Sequence, residues 1–282
     1  MATPTNITDL LSIFPPDGRA FRSYRHKSDG GRRAIAMPNE ELNKWLKVAN
    51  RVLRRQFNSW PAYMHGGIRK RSYVSHARPH VGQPCVIALD IREYFDSITE
   101  TDVAQALERY LKLPHDVANE LANKLCFRGR LAQGYATSNY ISNLCLLAPL
   151  SELHKELKRF GVTLTNYVDD IALSGAISDN SAVINLVARQ LSRAGFALNK
   201  SKVVVMPANR RQVVCELVVN KRLSISRELK RRLFSEVASG AMSEVSAKGW
   251  VANLQGIDED FTKRFSAFAQ VKGVLMPTKA VR

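Results

Sequence analysis

Apolar residues fall into runs of two kinds, and their spacing assigns most of the chain to strands or helices. Cys85-Val86-Ile87-Ala88-Leu89-Asp90 reads as a strand of buried-sheet type ending on a carboxylate. Residues 163–175 hold two half-apolar runs around Asp169 and Asp170, which predicts a β-hairpin with the acids at its tight end. Phe21 to Met37 predicts a more polar hairpin turning at Asp29-Gly30-Gly31. Helical spacing follows Asn39, an N-cap before Glu40 and Glu41, and places Leu42, Trp45, Leu46, Ala49, Val52 and Leu53 on one face.

Thr99-Glu100-Thr101-Asp102 has the form of a capping box, opening a helix with Val103, Leu107, Tyr110 and Leu111 inward and ending by Pro114. Helices are also expected over 116–127 and 181–194, and from Ser138 to Leu157 with a kink or break at Pro149. Near the end, Gln212 to Val219 and Leu223 to Ile225 read as two strands turning at Asn220-Lys221. A helix from Ser226 and a shorter helical region over 250–268 follow.

Composition adds one strong signal to this mixed pattern. The 282 residues carry a net charge of +17, unevenly placed. Residues 1–80 hold 15 Lys and Arg against 5 Asp and Glu, residues 81–199 hold 11 against 13, and residues 200–282 hold 16 against 7. Basic flanks around an acidic middle fit a polyanion gripped on both sides of a cation site. The cysteines Cys85, Cys126, Cys145 and Cys215 form no Cys-x-x-Cys pair, which argues against a zinc knuckle or a disulfide scaffold. Without an apolar secretory core or membrane-length run, a cytoplasmic protein is expected.

An Asp-Asp pair at a turn carries little alone, because aspartate favours turns for local hydrogen bonding. A second strand ending on Asp90 changes its weight: two strands delivering carboxylates to one sheet end make a hard-oxygen site that suits Mg²⁺. Adjacent strand residues point to opposite faces, so Asp169 is preferred over Asp170 as the ligand.

Tyr167-Val168-Asp169-Asp170 resembles the signature tetrad of reverse transcriptases, and Asp90 followed by Phe95 resembles the first catalytic motif of the same palm. Between them, Gln133-Gly134-Tyr135-Ala136-Thr137-Ser138 and Ile141-Ser142-Asn143-Leu144 are similar to stretches of bacterial retron-type enzymes. His76-Ala77-Arg78-Pro79-His80 resembles the retron segment Asn-Ala-x-x-His, with His76 in place of the Asn. Val214-Cys215-Glu216 stands where retron enzymes carry Val-Thr-Gly. The resemblance covers about residues 20–270. It implies an α+β right-hand polymerase fold: N-terminal segment and fingers over 1–83, a palm of antiparallel sheet on helices with inserted fingers helices over 84–220, and a small thumb over 221–282.

The resemblance also implies roles. Two Mg²⁺ ions, with Mn²⁺ as a substitute, would be held by Asp90, Asp169 and the main-chain carbonyl of Ile91, with Asp170 in support. Arg32 and Arg33 would meet the triphosphate, Arg33 preferred for its bidentate guanidinium. Phe95 would lie under the sugar and Gln133 would reach sugar or base, while Gly134 gives its loop backbone freedom. Lys200 or Lys202 would lie near the triphosphate, the sequence not choosing between them. Arg69, Lys70, Arg71, His76, Arg78 and His80 in the most basic loop, with Tyr167 and Arg227, Lys230 and Arg231 on the thumb helix, would contact nucleic acid.

His76 and His80 have the spacing of a helical metal pair, but Pro79 argues against that helix. The function implied is RNA-directed DNA synthesis from dNTPs on a noncoding RNA template, serving antiviral defence, with an effector protein or a second copy of the chain as further partner. Two other readings are weighed. An RNA-directed RNA polymerase is disfavoured by Phe95, and a catalytically silent RNA-binding scaffold by the filled acidic positions.

Overall fold

The computed structural model describes residues 4–26 and 30–276. It begins with helix α1 (Ile7–Ser12), hairpin strands β1 (Ala20–His26) and β2 (Arg32–Pro38), and helix α2 (Glu40–Gln56). The hairpin stands as expected; Gly30 has φ 84°, while Asp29 lies outside the described residues. Asn39 caps α2 by accepting from the Leu42 N–H at 3.1 Å, and all six predicted core positions are buried. Trp45 donates its indole N–H to the Leu10 carbonyl at 2.9 Å, tying α1 to α2.

Next come α3 (Tyr73–Ala77), a 3₁₀ turn at Arg78–His80, β3 (Cys85–Asp90), α4 (Tyr94–Ser97), α5 (Glu100–Leu111), α6 (His115–Leu125) and the short pair β4 (Cys126–Phe127) and β5 (Arg130–Leu131). The Thr99–Asp102 capping box forms as read. Arg128 and Gly129, at φ 56° and 75°, make the two-residue turn between β4 and β5. Helix α7 (Ser138–Arg159) runs through Pro149 without interruption, a correction to the expected break. Proline removes one N–H, and 22 residues of surrounding helix anchored by buried Leu144, Leu146, Leu147, Leu150, Leu153 and Leu157 outweigh that loss.

Strands β6 (Thr163–Tyr167) and β7 (Asp170–Gly175), helix α8 (Asn180–Arg193), a 3₁₀ turn at Lys200–Lys202 and strand β8 (Val204–Pro207) complete the palm sheet. Its order is β6-β7-β3-β8, antiparallel throughout, with Asp90 opposite Asp170 in the register. The alternation of side chains divides this sheet between two cores. Ile87, Leu89, Ile171 and Leu173 face the large core shared with α5, α7 and α8. Val86, Ala172 and Met206 face a second core shared with the C-terminal helices.

The stretch 212–219 is two strands rather than one. β9 (Val213–Val214) and β10 (Leu217–Val218) are reversed by Cys215 and Glu216 at φ 43° and 66°, and β11 (Ser224–Ile225) closes a sheet of order β11-β10-β9. A β-rich run broken only by Glu216 hid a left-handed turn made without glycine. The expected palm–thumb boundary at 220 falls inside this sheet. Helix α9 (Arg227–Ala238) follows, capped by Ser226, and two helices, α10 (Glu244–Leu254) and α11 (Glu259–Val271), replace the single expected helical region. No described helix is long and apolar enough to cross a membrane.

Behind the palm hairpin lie three buried histidines. His80 bonds Ser174 Oγ at 2.7 Å and Thr165 Oγ1 at 2.6 Å, and His65 bonds Ser75 Oγ at 2.8 Å. Burial lowers the imidazole pKa from 6.5 to about 4 for His65 and His80 and to about 3 for His76. The unfolded chain therefore takes up protons first as pH falls. The stability these neutral rings contribute is complete above pH 6.5 and is lost toward pH 4 for His65 and His80 and toward pH 3 for His76. Urea midpoints should decline across that window, and His76→Gln should flatten the decline by up to about 1.4 kcal/mol per pH unit. An unchanged acid profile in that variant would count against the assignment.

Candidate active site

The palm hairpin turns on only two residues, Val168 and Asp169, because Tyr167 pairs with Asp170. Val168 has φ 60°, the positive first central position of a II′-type turn and a costly one for a β-branched residue. Strain of this kind persists where the surroundings over-determine it. Here Asn166, fully buried, donates its amide to the carbonyls of Val168 at 2.9 Å and Asp170 at 3.4 Å, and the Ile91 N–H donates to the Asp169 carbonyl at 2.9 Å. Gly66 presses on the turn from below: a Cβ there would lie 2.4 Å from Val168 N. Asn143 holds Gly66 in place by donating to its carbonyl at 2.6 Å.

Asp90 ends β3 beside this turn and is 8% exposed. Its Oδ1 accepts from the Asn199 amide at 3.1 Å and its Oδ2 from the Lys202 ammonium at 3.0 Å. Burial raises the Asp169 carboxyl pKa, with Asp90 adding to the rise and Arg33 and Lys202 opposing it. Burial and the neighbouring Asp169 push Asp170 up to about 6, while the Cys215 thiol, 3.5 Å from Asp170 Oδ2, opposes the rise. These acids are crowded, and Lys202 and Arg33 offset their mutual repulsion only in part.

A cleft of about 520 Å³ opens over them. Of the residues predicted from sequence, Asp90, Ile91 and Asp169 line its floor; Arg32, Arg33, Phe95, Gln133 and Lys202 line its walls. Gly134 sits behind the wall with φ 119°, so close to β2 that a Cβ would lie 2.5 Å from the Ala36 carbonyl oxygen. The Ala36 N–H donates to the Gln133 carbonyl at 2.8 Å, fixing the hairpin to this loop. Lys200 is exposed and does not line the cleft. Tyr24, 57% exposed, and Asn199 line it and were missed. The strand alternation around Tyr24 offered a signal; nothing local marked Asn199.

The basic loop divides. Arg69, Lys70 and Arg78 are exposed, and so are Arg227 and Arg231 on α9. His76 and His80 are buried, a correction to their expected contact with nucleic acid, because their rings pack against β6 and β7. Arg71 spends its guanidinium on the carbonyls of Trp60, Pro61 and Met64. Lys230 turns inward to Asp258 and Ser224, so its charge is neutralised inside the thumb. Tyr167 is half-buried against His76, the rings 5.9 Å apart.

Among the described residues no three His, Cys, Asp or Glu side chains form a ready-made ion cage. The donor set nonetheless suits a hard cation: a buried carboxylate at a strand end and a half-buried one in the adjoining hairpin turn, mutually repelling, beside a cleft wide enough for substrate phosphates and water to complete a shell.

An antiparallel sheet backed by helices, carboxylates at its strand ends, a basic hairpin above them and a helical module at the C-terminus make an α+β right-hand polymerase fold. The chain belongs to the reverse transcriptase (RNA-dependent DNA polymerase) family, whose model matches residues 25–222.

It is 28% identical over 177 residues to the Retron Se72 reverse transcriptase of Salmonella heidelberg, covering 61% of this chain and 46% of that protein. To the Retron Ec48 reverse transcriptase of Escherichia coli it is 28% identical over 215 residues, 71% of this chain and 53% of that one. To the Retron Ec86 reverse transcriptase of Escherichia coli it is 22% identical over 287 residues, 95% and 86%. The chain spans about half the length of the first two relatives. Telomerase from Candida albicans, solved with the TWJ fragment of telomeric RNA, shares the fold at a TM-score of 0.56 and 12% identity over 94% of this chain and 60% of that one. Apo telomerase from Candida Tropicalis, truncated from its C-terminal domain, gives 0.52 and 13% over 74% and 55%.

Proposed function

We propose that the protein synthesises DNA on an RNA template, adding deoxynucleotides to a primer hydroxyl. The observation that carries this reading is the convergence on one cleft of Asp90 and Asp169, Arg33, Phe95 and Gln133. Asp90 and Asp169 would hold divalent cations, Mg²⁺ by preference and Mn²⁺ as a substitute, with Asp170 and the Ile91 carbonyl in support. Two such ions, when bound, would make a hydroxyl a better nucleophile and offset the charge gathered on the phosphoryl oxygens.

The protein's own groups do the rest. Arg33, close enough to Asp169 to draw its pKa down, is placed to take triphosphate oxygens with Arg32 beside it. Gln133 presents an amide to sugar or base. Phe95, half-buried against Tyr94 with the rings 5.3 Å apart, gives the cleft a flat apolar wall. A ribose 2′-OH would meet that ring without a hydrogen-bond partner. A noncoding RNA as template and a role in antiviral defence rest on the retron likeness alone.

Primer extension on an RNA template tests the reading: dNTPs should be incorporated and rNTPs should not. Extension with neither, or a preference for rNTPs, would overturn it. In the same assay Phe95→Val should raise ribonucleotide incorporation relative to deoxynucleotide by roughly 10- to 100-fold, the scale of a lost steric contact in a shaped pocket. Unchanged discrimination would return Phe95 to an ordinary packing role.

A further inference from the structure

Both carboxylate oxygens of Asp90 are engaged, and the more consequential partner is Lys202, whose ammonium lies 3.0 Å from Oδ2. The segment that carries it is pinned to the strand carrying Asp90. The Asn199 N–H donates to the Asp90 carbonyl at 2.8 Å, the Arg92 N–H donates to the Ala197 carbonyl at 2.8 Å, and Ile91 bridges Leu198. The two side chains differ in freedom. Asp90 is held at the floor with 12% of its side chain exposed, while 54% of Lys202 is exposed. More than half of the Lys202 side chain is already in solvent, so it is the freer of the two to move.

An ammonium and a divalent cation cannot both sit against one carboxylate oxygen at close range, since like charges there repel strongly. A cation that takes Asp90 Oδ2 must displace Lys202. The displaced ammonium needs another anion, and the cleft it lines, together with Arg33, is the one proposed above for the triphosphate. A lysine suits such an exchange, being a single charge on a flexible stem with no preferred bidentate geometry.

We infer that Lys202 is a positioning residue that makes cation loading at Asp90 and triphosphate binding depend on each other: it guards the carboxylate and yields it when triphosphate oxygens arrive. The inference rests on the polymerase reading and goes beyond it by assigning an order of assembly. Coupling of this kind is reciprocal, so each ligand should bind more tightly in the presence of the other.

The test is Mn²⁺ binding by the full chain, followed through the electron paramagnetic resonance signal of free Mn²⁺, with no turnover involved. Lys202→Met should bind Mn²⁺ about three- to fivefold more tightly than the unsubstituted protein, the upper end of the scale of an ion pair with one solvated arm. Lys202→Arg should show no such gain. Lys263→Met, which removes the same charge from an exposed position on α11 without breaking an ion pair to Asp90, should stay within about twofold. A non-hydrolysable deoxynucleoside triphosphate should then tighten Mn²⁺ binding less in Lys202→Met than in the unsubstituted protein. Lys202→Gln serves the same comparison should the methionine variant fold poorly. Equal or weaker Mn²⁺ binding by a folded Lys202→Met or Lys202→Gln protein would overturn the inference and leave the polymerase reading intact. If no protein in the series shows Mn²⁺ binding that Asp90→Asn removes, the metal reading itself fails and this inference with it.

Discussion

Asp169→Asn is expected to lower single-turnover primer extension by at least about a hundredfold, the scale for removing a preorganised charge-stabilising group, while the melting temperature stays level or rises. The substitution keeps the shape of the side chain and discards its charge. What holds the residue in place is backbone: its carbonyl accepts from Ile91, and the Val168 turn is clamped by the Asn166 amide, neither of which the change touches. Burial and the proximity of Asp90 both work against an ionised group at this position, so neutralising it relieves repulsion with Asp90 and Asp170. Loss of activity together with retained stability separates a catalytic carboxylate from a structural one. Extension at a near-normal rate would remove Asp169 from the chemistry.

Gly66→Ala should be the most damaging single methyl near the site. The added Cβ would lie 2.4 Å from Val168 N, 2.6 Å from Val168 Cγ2 and 3.0 Å from the Tyr167 carbonyl carbon. Two of these are backbone atoms of the turn that aims Asp169, and side-chain rotation cannot relieve them. Gly66 cannot retreat either, held by the Asn143 amide and by its neighbour His65, whose N–H donates to the Asn166 carbonyl at 2.8 Å. Overpacking of this kind costs about 1–3 kcal/mol of stability. The rate should suffer more, because a displacement of about 1 Å in a reacting group costs on the order of a hundredfold. Urea denaturation and primer extension well below the melting temperature separate the two effects. A variant as active as the parent would show that the turn yields without moving its carboxylate.

Much of this arrangement could be read from local sequence because the signals were local. The stripe of α2, the Thr99–Asp102 box, the apolar run of β3 and the palm hairpin each need only a few adjacent residues, and each stands where it was read. The misses share a different cause. His76 and His80 sit among arginines in the chain, and only the packing of α3 and its 3₁₀ turn against β6 and β7 takes them inside. Lys230 looks like its basic neighbours until Asp258, 28 positions later, folds back to it. Strand β8 was not read although Pro207 ends it, and the turn at Cys215-Glu216 was lost between Val213-Val214 and Leu217-Val218, where neither glycine nor proline marked the reversal. The choice between Lys200 and Lys202 could not be made from spacing, because it depends on which lysine of the 3₁₀ turn faces β3.

The hairpin bearing Arg33 is bonded through Ala36 to the Gln133 carbonyl and lies against Gly134 with no room for a side chain between them. In the proposed reading, the guanidinium offered to the triphosphate and the amide offered to the sugar or base therefore share one support. Any displacement of the hairpin would carry Gln133 with Arg33, so in that reading a nucleotide would be tested at its head and its tail by groups that keep one fixed spacing.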